Sequence, residues 1–178
     1  MRTVCVHERV LPLSAAKVGS LIDSLSSGND LLWPVTTWPA MRFDRPLEVG
    51  ATGGHGPIRY AVEEYRRGQS IRFRLSGPPC LKGGIHEFAA IANPDGTTTL
   101  RHTLELRLTG RALVSWPLAW RWLHAACIED ALARGEVSLG IAPQVQPWSI
   151  WVRALRWIAW GGKPPQGHPT RRRVVGDT

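Results

Sequence analysis

Two histidines fall on what the residue pattern makes an apolar strand face, and imidazole is the side chain whose ordinary pKa suits proton transfer at neutral pH. Over residues 97–108, Leu100, Leu104, Leu106 and Leu108 share parity with His102, while Arg101, Thr103, Glu105 and Arg107 take the other parity. A period of two turns this into one buried and one solvated face, with His102 on the buried side. The tetrapeptide Asn93-Pro94-Asp95-Gly96 suits a tight hairpin loop, with Pro94 in a type I turn and Gly96 left-handed. Closing the hairpin there pairs Ala90 with Leu100, Phe88 with His102 and His86 with Leu104, which brings His86 to the same face. A turn at Arg67-Gly68 likewise sets Val62 near Phe73 and Tyr60 near Leu75.

An apolar face carrying His86, His102 and Tyr60 fits two uses. Either the three are core polar groups satisfied by their neighbours, or His86 or His102 acts as a general acid or base with a phenol or indole donor nearby. Neither histidine has a third residue at metal-ligand spacing along the chain, so no metal is expected. Cys5, Cys80 and Cys127 are odd in number and widely spaced, with no Cys-x-x-Cys pair, which argues against a disulfide framework and a zinc knuckle. Gly53-Gly54-His55-Gly56 lacks the strand-then-helix setting of a phosphate loop, and no organic cofactor is expected.

The elements that must position these groups follow from punctuation. Residues 4–11 read as a first strand ended by Pro12, and Ser14 as the N-cap of a helix with Ala15, Val18, Leu21, Ile22 and Leu25 at helical spacing. A short second helix or turn is expected around Leu31–Trp33, then a loop-rich stretch with at most one short strand near Leu47–Ala51. Strands follow at Ile58–Tyr65, Ser70–Leu75, Ile85–Ala92 and Thr97–Leu108. After Gly110 the period changes to about 3.6, and Leu113, Trp116, Trp120, Leu123, Cys127 and Ala131 mark one stripe of a long helix over 112–138. Consecutive hairpins imply an antiparallel sheet whose apolar face the late helix covers.

This order resembles the START-domain and polyketide cyclase/dehydrase superfamily, often called SRPBCC. The likeness rests on Val10-x-Pro12-x-Ser14-Ala15-x-x-Val18, Gly84-Ile85-His86-Glu87-Phe88, the strand Thr99–Glu105 and the late helix, over roughly residues 3–138. It implies an α+β helix-grip fold, a curved antiparallel sheet wrapped around a long C-terminal helix with an elongated cavity between them. It further implies an apolar small-molecule ligand, a lipid or polyketide for example, with cyclase- or dehydratase-like catalysis as the alternative. Tyr60, Val62, Phe73, Phe88, Leu104, Trp116, Trp120 and Leu123 are the expected cavity set, and Trp33-Pro34 and Trp38-Pro39 are expected near its mouth as gate or plug.

The chain has 178 residues, with 22 Lys and Arg against 14 Asp and Glu. Residues 140–178 hold six of those bases and one acid, Asp177, so the basic excess lies mostly in the tail and no specific nucleic-acid surface is expected. The expected division is a helix-grip domain over 1–140, an amphipathic Trp-rich helical extension over 141–163 and a disordered basic tail over 164–178. Trp148, Trp151, Val152, Leu155 and Ile158 are expected on one helical face with Arg153 and Arg156 opposite, starting just after Pro147. Residues 147–161 then dock on their own domain, on a second copy, or on a membrane surface. No stretch has the length of a spanning helix, and the N-terminus has no continuous apolar run, so a cytoplasmic location is expected, with attachment to a membrane surface as an addition.

Overall fold

The computed structural model describes residues 1–159. Seven strands form one antiparallel sheet: β1 (Arg2–Leu11), β2 (Arg42–Phe43), β3 (Thr52–His55), β4 (Ile58–Arg66), β5 (Ser70–Gly77), β6 (Ile85–Ala92) and β7 (Thr98–Arg107). Their order across the sheet is β1-β7-β6-β5-β4-β3-β2, so the first strand pairs with the last. Helix α1 (Ala15–Asp23) follows β1, and residues 112–138 form the long helix that the sheet grips. The fold is the α+β helix-grip architecture.

The register agrees with the turn chemistry. His86 stands opposite Leu104, Phe88 opposite His102 and Ala90 opposite Leu100, while Tyr60 faces Leu75 and Val62 faces Phe73. Gly96 is left-handed at φ 82° in the β6–β7 loop, as that loop requires. Alternation gives β7 an inner face of Leu100, His102, Leu104 and Leu106, all buried. On the outer face, Arg72 bridges Glu64 and Glu87, Arg74 pairs with Glu63, and Arg101 with Glu8. Arg72, Arg74 and Arg101 are thus neutralised across neighbouring strands.

Two local expectations need correction, while at residues 31–33 the chain bends without forming a helix, in line with the turn alternative. The strand expected at Leu47–Ala51 is replaced by the pair β2 and β3. Gly53 and Gly54 permit that pair, because a Cβ on them would lie 2.1 Å from the Arg42 carbonyl and 1.9 Å from the Ile58 carbonyl. The long helix is also not uniform. It runs as α2 (Ala112–Ser115), a π-helical turn over Trp116–Trp120, and α3 (Arg121–Ser138). Pro117 sits in that turn with no N–H to give, and a widened turn is a usual accommodation.

Helix α4 (Ile150–Ala159) lies against α3. It starts three residues after Pro147 because Ser149 caps it, accepting from Val152 N through its hydroxyl at 3.2 Å and from Arg153 N through its carbonyl at 3.0 Å. Its docked face differs from the expected one. Val152 and Arg156 are buried, Trp148 and Leu155 are half-buried, and Trp151 and Ile158 are exposed. The Arg156 guanidinium lies between the Trp38 and Trp148 rings, 4.2 and 4.1 Å from their centroids, and donates to the Thr37 carbonyl at 2.6 Å. Both indoles donate to Asp130 Oδ2 on α3, at 2.8 and 3.0 Å. Burial lowers the Arg156 pKa and the Asp130 charge acts against that. A cation is buried here because aromatic faces and a carboxylate replace its water. Residues 160–178, including the expected basic tail and the end of the extension, lie outside the described residues.

Helix α1 fixes the far end of the sheet. Asp23 Oδ1 accepts from Gly68 N and from the Tyr65 hydroxyl, each at 2.8 Å, and so ties the helix to the β4–β5 turn. Gly19 is the contact point, since a Cβ there would lie 1.9 Å from the Gly68 carbonyl oxygen. Gly19→Ala is therefore expected to destabilise the protein by about 1–3 kcal/mol through overpacking, although in an open helix the same change would stabilise by up to ~1 kcal/mol. Urea unfolding measures the sign, and a stabilised variant would refute this packing.

Candidate functional site

Five of the six histidines of the chain converge between sheet and helix: His7 on β1, His55 on β3, His86 on β6, His102 on β7 and His124 on α3. The antiparallel register puts His7 directly across from His102, and sets His86 diagonally to His102 on the same face. The Nε2 atoms of His86 and His102 are 3.0 Å apart. At that distance one Nε2–H donates to the other lone pair, so a single proton lies between two neutral rings. The His124 ring stands 5.0 Å from His102 and 6.0 Å from His86, centroid to centroid. His55 lies 6.4 Å from His86 and is hydrogen-bonded through Nδ1 to the Tyr60 hydroxyl at 2.9 Å. At the other end His7 Nδ1 donates to Glu129 at 2.9 Å, a carboxylate that Arg9 also holds.

Burial dominates the electrostatics. Desolvation lowers His86 to about 3 and His55 to about 4. It also holds His102 and His124 well below the ordinary imidazole range, and neighbouring imidazoles add to the effect. All four rings are therefore neutral at pH 7. Their hydrogen bonding is incomplete: among the described residues, His86 Nδ1, His102 Nδ1 and both nitrogens of His124 have no partner. Buried polar groups are ordinarily satisfied, so this concentration of unpaired imidazole nitrogen marks the site.

Beside the cluster lies a cavity of about 530 Å³, within the range of small-molecule pockets. Its floor includes His86, His124 and Leu104, and its helical wall runs from Trp116 and Trp120 to Leu123 and Cys127. Trp33 and Trp38 stand on the loop side, each pinned by its indole N–H, Trp33 to the Pro39 carbonyl at 2.9 Å and Trp38 to Asp130. They are anchored wall residues. A second hollow of about 440 Å³ sits at the strand ends by Met1, Gly84 and Arg107, with no histidine among the described residues of its lining.

The expected site residues divide between cavity and core. Leu104, Trp116, Trp120, Leu123 and His86 line the cavity. Tyr60, Val62, Phe73 and Phe88 are buried in the packed core outside its lining, and His102 sits fully buried behind His86. Of the two expected catalytic histidines, then, only His86 reaches the cavity. His124 and His55 were missed by sequence reasoning. His124 follows Trp120 by four residues and precedes Cys127 by three, a helical spacing that could have placed it inward. His55 carried no periodic signal, because β3 has only four residues, two of them glycine.

No family model and no curated protein matches the sequence. Solved structures do. Norcoclaurine synthase from Thalictrum flavum, in complex with dopamine and hydroxybenzaldehyde, superposes with a TM-score of 0.58 at 11% identity, covering 83% of this chain and 90% of that one. A protein from Thermobifida fusca gives 0.56 at 16% identity over 80% and 99%, and Ara h 8.0201 gives 0.53 at 11% over 79% and 97%. Norcoclaurine synthase and Ara h 8.0201 are helix-grip folds of the Bet v 1 type, and the likeness is one of fold.

The neutral cluster sets an acid limit on stability. A histidine whose folded pKa is depressed contributes stability that is fully present above its unfolded pKa of about 6.5 and is lost as pH falls toward the folded value. Between about pH 6 and pH 4 the unfolded chain binds protons that the folded cluster refuses, so the unfolding free energy falls by up to ~1.4 kcal/mol per pH unit for each such ring. In chelator-treated protein, urea midpoints are expected to be flat above pH 7 and to drop steeply below pH 6, with a shallower drop in His124→Leu. An equal slope in the two proteins would mean that His124 is charged in the fold.

Proposed function

We propose that the protein binds an apolar small molecule in the cavity between sheet and long helix. The observation that carries this is the wall itself: indole and aliphatic side chains around about 530 Å³, with His55, His86 and His124 as its only titratable imidazoles among the described residues. Apolar walls with a few convergent polar groups are what such ligands require. Support by analogy comes from norcoclaurine synthase, whose structure holds dopamine and hydroxybenzaldehyde in the same fold. Lipids and polyketides fit the chemistry of the wall. A neutral imidazole adds one hydrogen-bond donor or acceptor for a carbonyl or hydroxyl of the ligand.

Cyclase- or dehydratase-like catalysis ranks second. It would place proton transfer on His86, with His102 setting the His86 tautomer from behind at 3.0 Å. A ring held near 3 is a weak proton acceptor at neutral pH, since general bases work best with pKa values near the working pH. Binding is therefore the stronger reading.

The outer side of the gripped helix favours a further role at a surface. Val114 and Leu118 on the long helix and Ile150, Trp157 and Ile158 on α4 are exposed. The Trp151 indole donates to the Leu118 carbonyl at 2.9 Å and holds the two helices side by side. With Trp120 and Trp122 partly exposed on the same helix, this patch suits an interfacial membrane contact beside the cavity, where tryptophan is favoured. It would make the protein a peripheral one in the cytoplasm. No described helix is long and apolar enough to cross a membrane.

Two experiments test these readings. Leu123→Trp is expected to fill the cavity and weaken binding of a neutral naphthylamine dye at least ~10-fold, equivalent to about 1.4 kcal/mol, while the thermal midpoint changes little. Unchanged dye affinity would sink the cavity reading. Full-length protein is expected to sediment with anionic phospholipid vesicles, and the Ile150→Ser, Trp157→Ser, Ile158→Ser triple variant to stay in the supernatant. If wild type stays in the supernatant, or the variant sediments equally, the membrane contact is refuted. A concentration-dependent dimer lost in the triple variant, without vesicle binding, would assign the patch to a second copy.

A further inference from the structure

The three rings His86, His102 and His124 come from three different elements, yet one ligand-capable nitrogen of each lies within 4.8 Å of the other two. The His86 and His102 Nε2 atoms are already 3.0 Å apart. Nitrogens bound tetrahedrally at about 2.0–2.1 Å stand about 3.3 Å from one another, so bringing in the third ring needs under ~1.5 Å of side-chain movement. His124 is free to make it, since neither of its nitrogens is held by a hydrogen bond among the described residues. The rings carry no proton charge to displace at neutral pH, because burial keeps each of them neutral.

We propose that His86, His102 and His124 form a tris-imidazole site for a divalent first-row transition metal, zinc in the first instance. Imidazole is the ligand common to zinc, copper, iron and nickel sites. The donor set here holds neither the carboxylates that calcium and magnesium need nor a thiolate cluster. Three protein ligands leave a coordination position for an outside donor, as in catalytic zinc sites. Two of the three histidines line the cavity, so that donor comes from the cavity side. Binding the ion requires only that the proton shared between His86 and His102 move to an Nδ1 atom, with no net proton release. The site rests on the imidazole geometry and does not depend on which apolar molecule fills the cavity.

The probe is metal alone. Untagged full-length protein is stripped with chelator and titrated with Co²⁺, with Zn²⁺ competition giving the affinity. One equivalent of Co²⁺ is expected to bind with visible bands of tetrahedral intensity and to raise the thermal midpoint. His124→Leu, a change in the cavity wall, and His102→Leu are each expected to lower affinity ~100-fold or more, at or beyond the top of the ~10–100-fold loss typical of an outer-shell change. His7→Asn, which alters the neighbouring imidazole bonded to Glu129, and His168→Ala in the tail are expected to bind within a few-fold of wild type. Should His102→Leu fail to fold, His124→Leu decides, and circular dichroism confirms that it is native. Absence of uptake by wild type, or uptake unaffected by His124→Leu, overturns the site. Loss of uptake in His7→Asn or His168→Ala overturns it as well and places the ion elsewhere. Dye binding by the stripped protein is the separate readout for the cavity, so either reading can fail without the other.

Discussion

The hydrogen bond between His86 and His102 is the interaction on which the rest of the structure depends. Two imidazoles share one proton at 3.0 Å in an interior where both residues are almost wholly shielded from water. Such a contact tolerates neither protonation of both rings nor a register slip, because moving β6 by one residue along β7 would send His86 to the solvent face. The hairpin loop at 93–96 and the leucine parity of β7 therefore fix the chemistry as well as the strand pairing. The first strand is held to the same scheme: His7 must face inward because it lies opposite His102, and Glu129 on α3 meets it there.

A cavity beside a buried cluster must be held open, since apolar walls gain by collapsing onto one another. The braces are polar bonds at the edges. Trp33 and Trp38 have their indole N–H groups tied to Pro39 and Asp130, and Arg156 stacks on Trp38 from α4. The π turn at Trp116–Trp120 adds its own constraint, with Trp116 buried against the cavity while Leu118 turns outward. Helix α4 thus serves the grip in two ways. Its inner face locks Trp38 through a buried cation, and Ala159 at its end reaches the cavity wall.

How much of this was legible follows from where the determinants lie. The β4–β5 and β6–β7 registers could be read because each turn announces its own geometry: Pro94 and Gly96 in one, Gly68 in the other. The pairings of His86, Phe88, Tyr60 and Val62 followed from counting. What was hidden depended on distant partners or on a broken period. A π turn adds a residue and shifts helical phase by about 100°. Leu113 leaves the expected stripe for the surface, 47% exposed, whereas His124, at helical spacing from Trp120 and Cys127, lies on the cavity side with them. Arg156 looked like a solvated charge because nothing near it in sequence tells that Trp38, Trp148 and Asp130 assemble around it. The glycine pair in β3 gave no strand signal because its role is negative, leaving room for the Arg42 and Ile58 backbones.

Charge then decides what the cavity can accept. Its described lining contains no carboxylate and no ammonium or guanidinium, and its histidines are neutral. A charged ligand entering alone would lose its hydration against a wall that offers no opposite charge, which is strongly unfavourable. An uncharged apolar molecule meets no such cost. With a divalent ion on the three imidazoles the balance reverses: two positive charges lie next to apolar surface without a protein anion to neutralise them. Such an ion would favour an apolar molecule bearing an anionic oxygen, a carboxylate or enolate, over a neutral one. The same walls would thus select neutral ligands in the metal-free protein and anionic amphiphiles in the metal-bound one, because the imidazole cluster is where the cavity's charge is set.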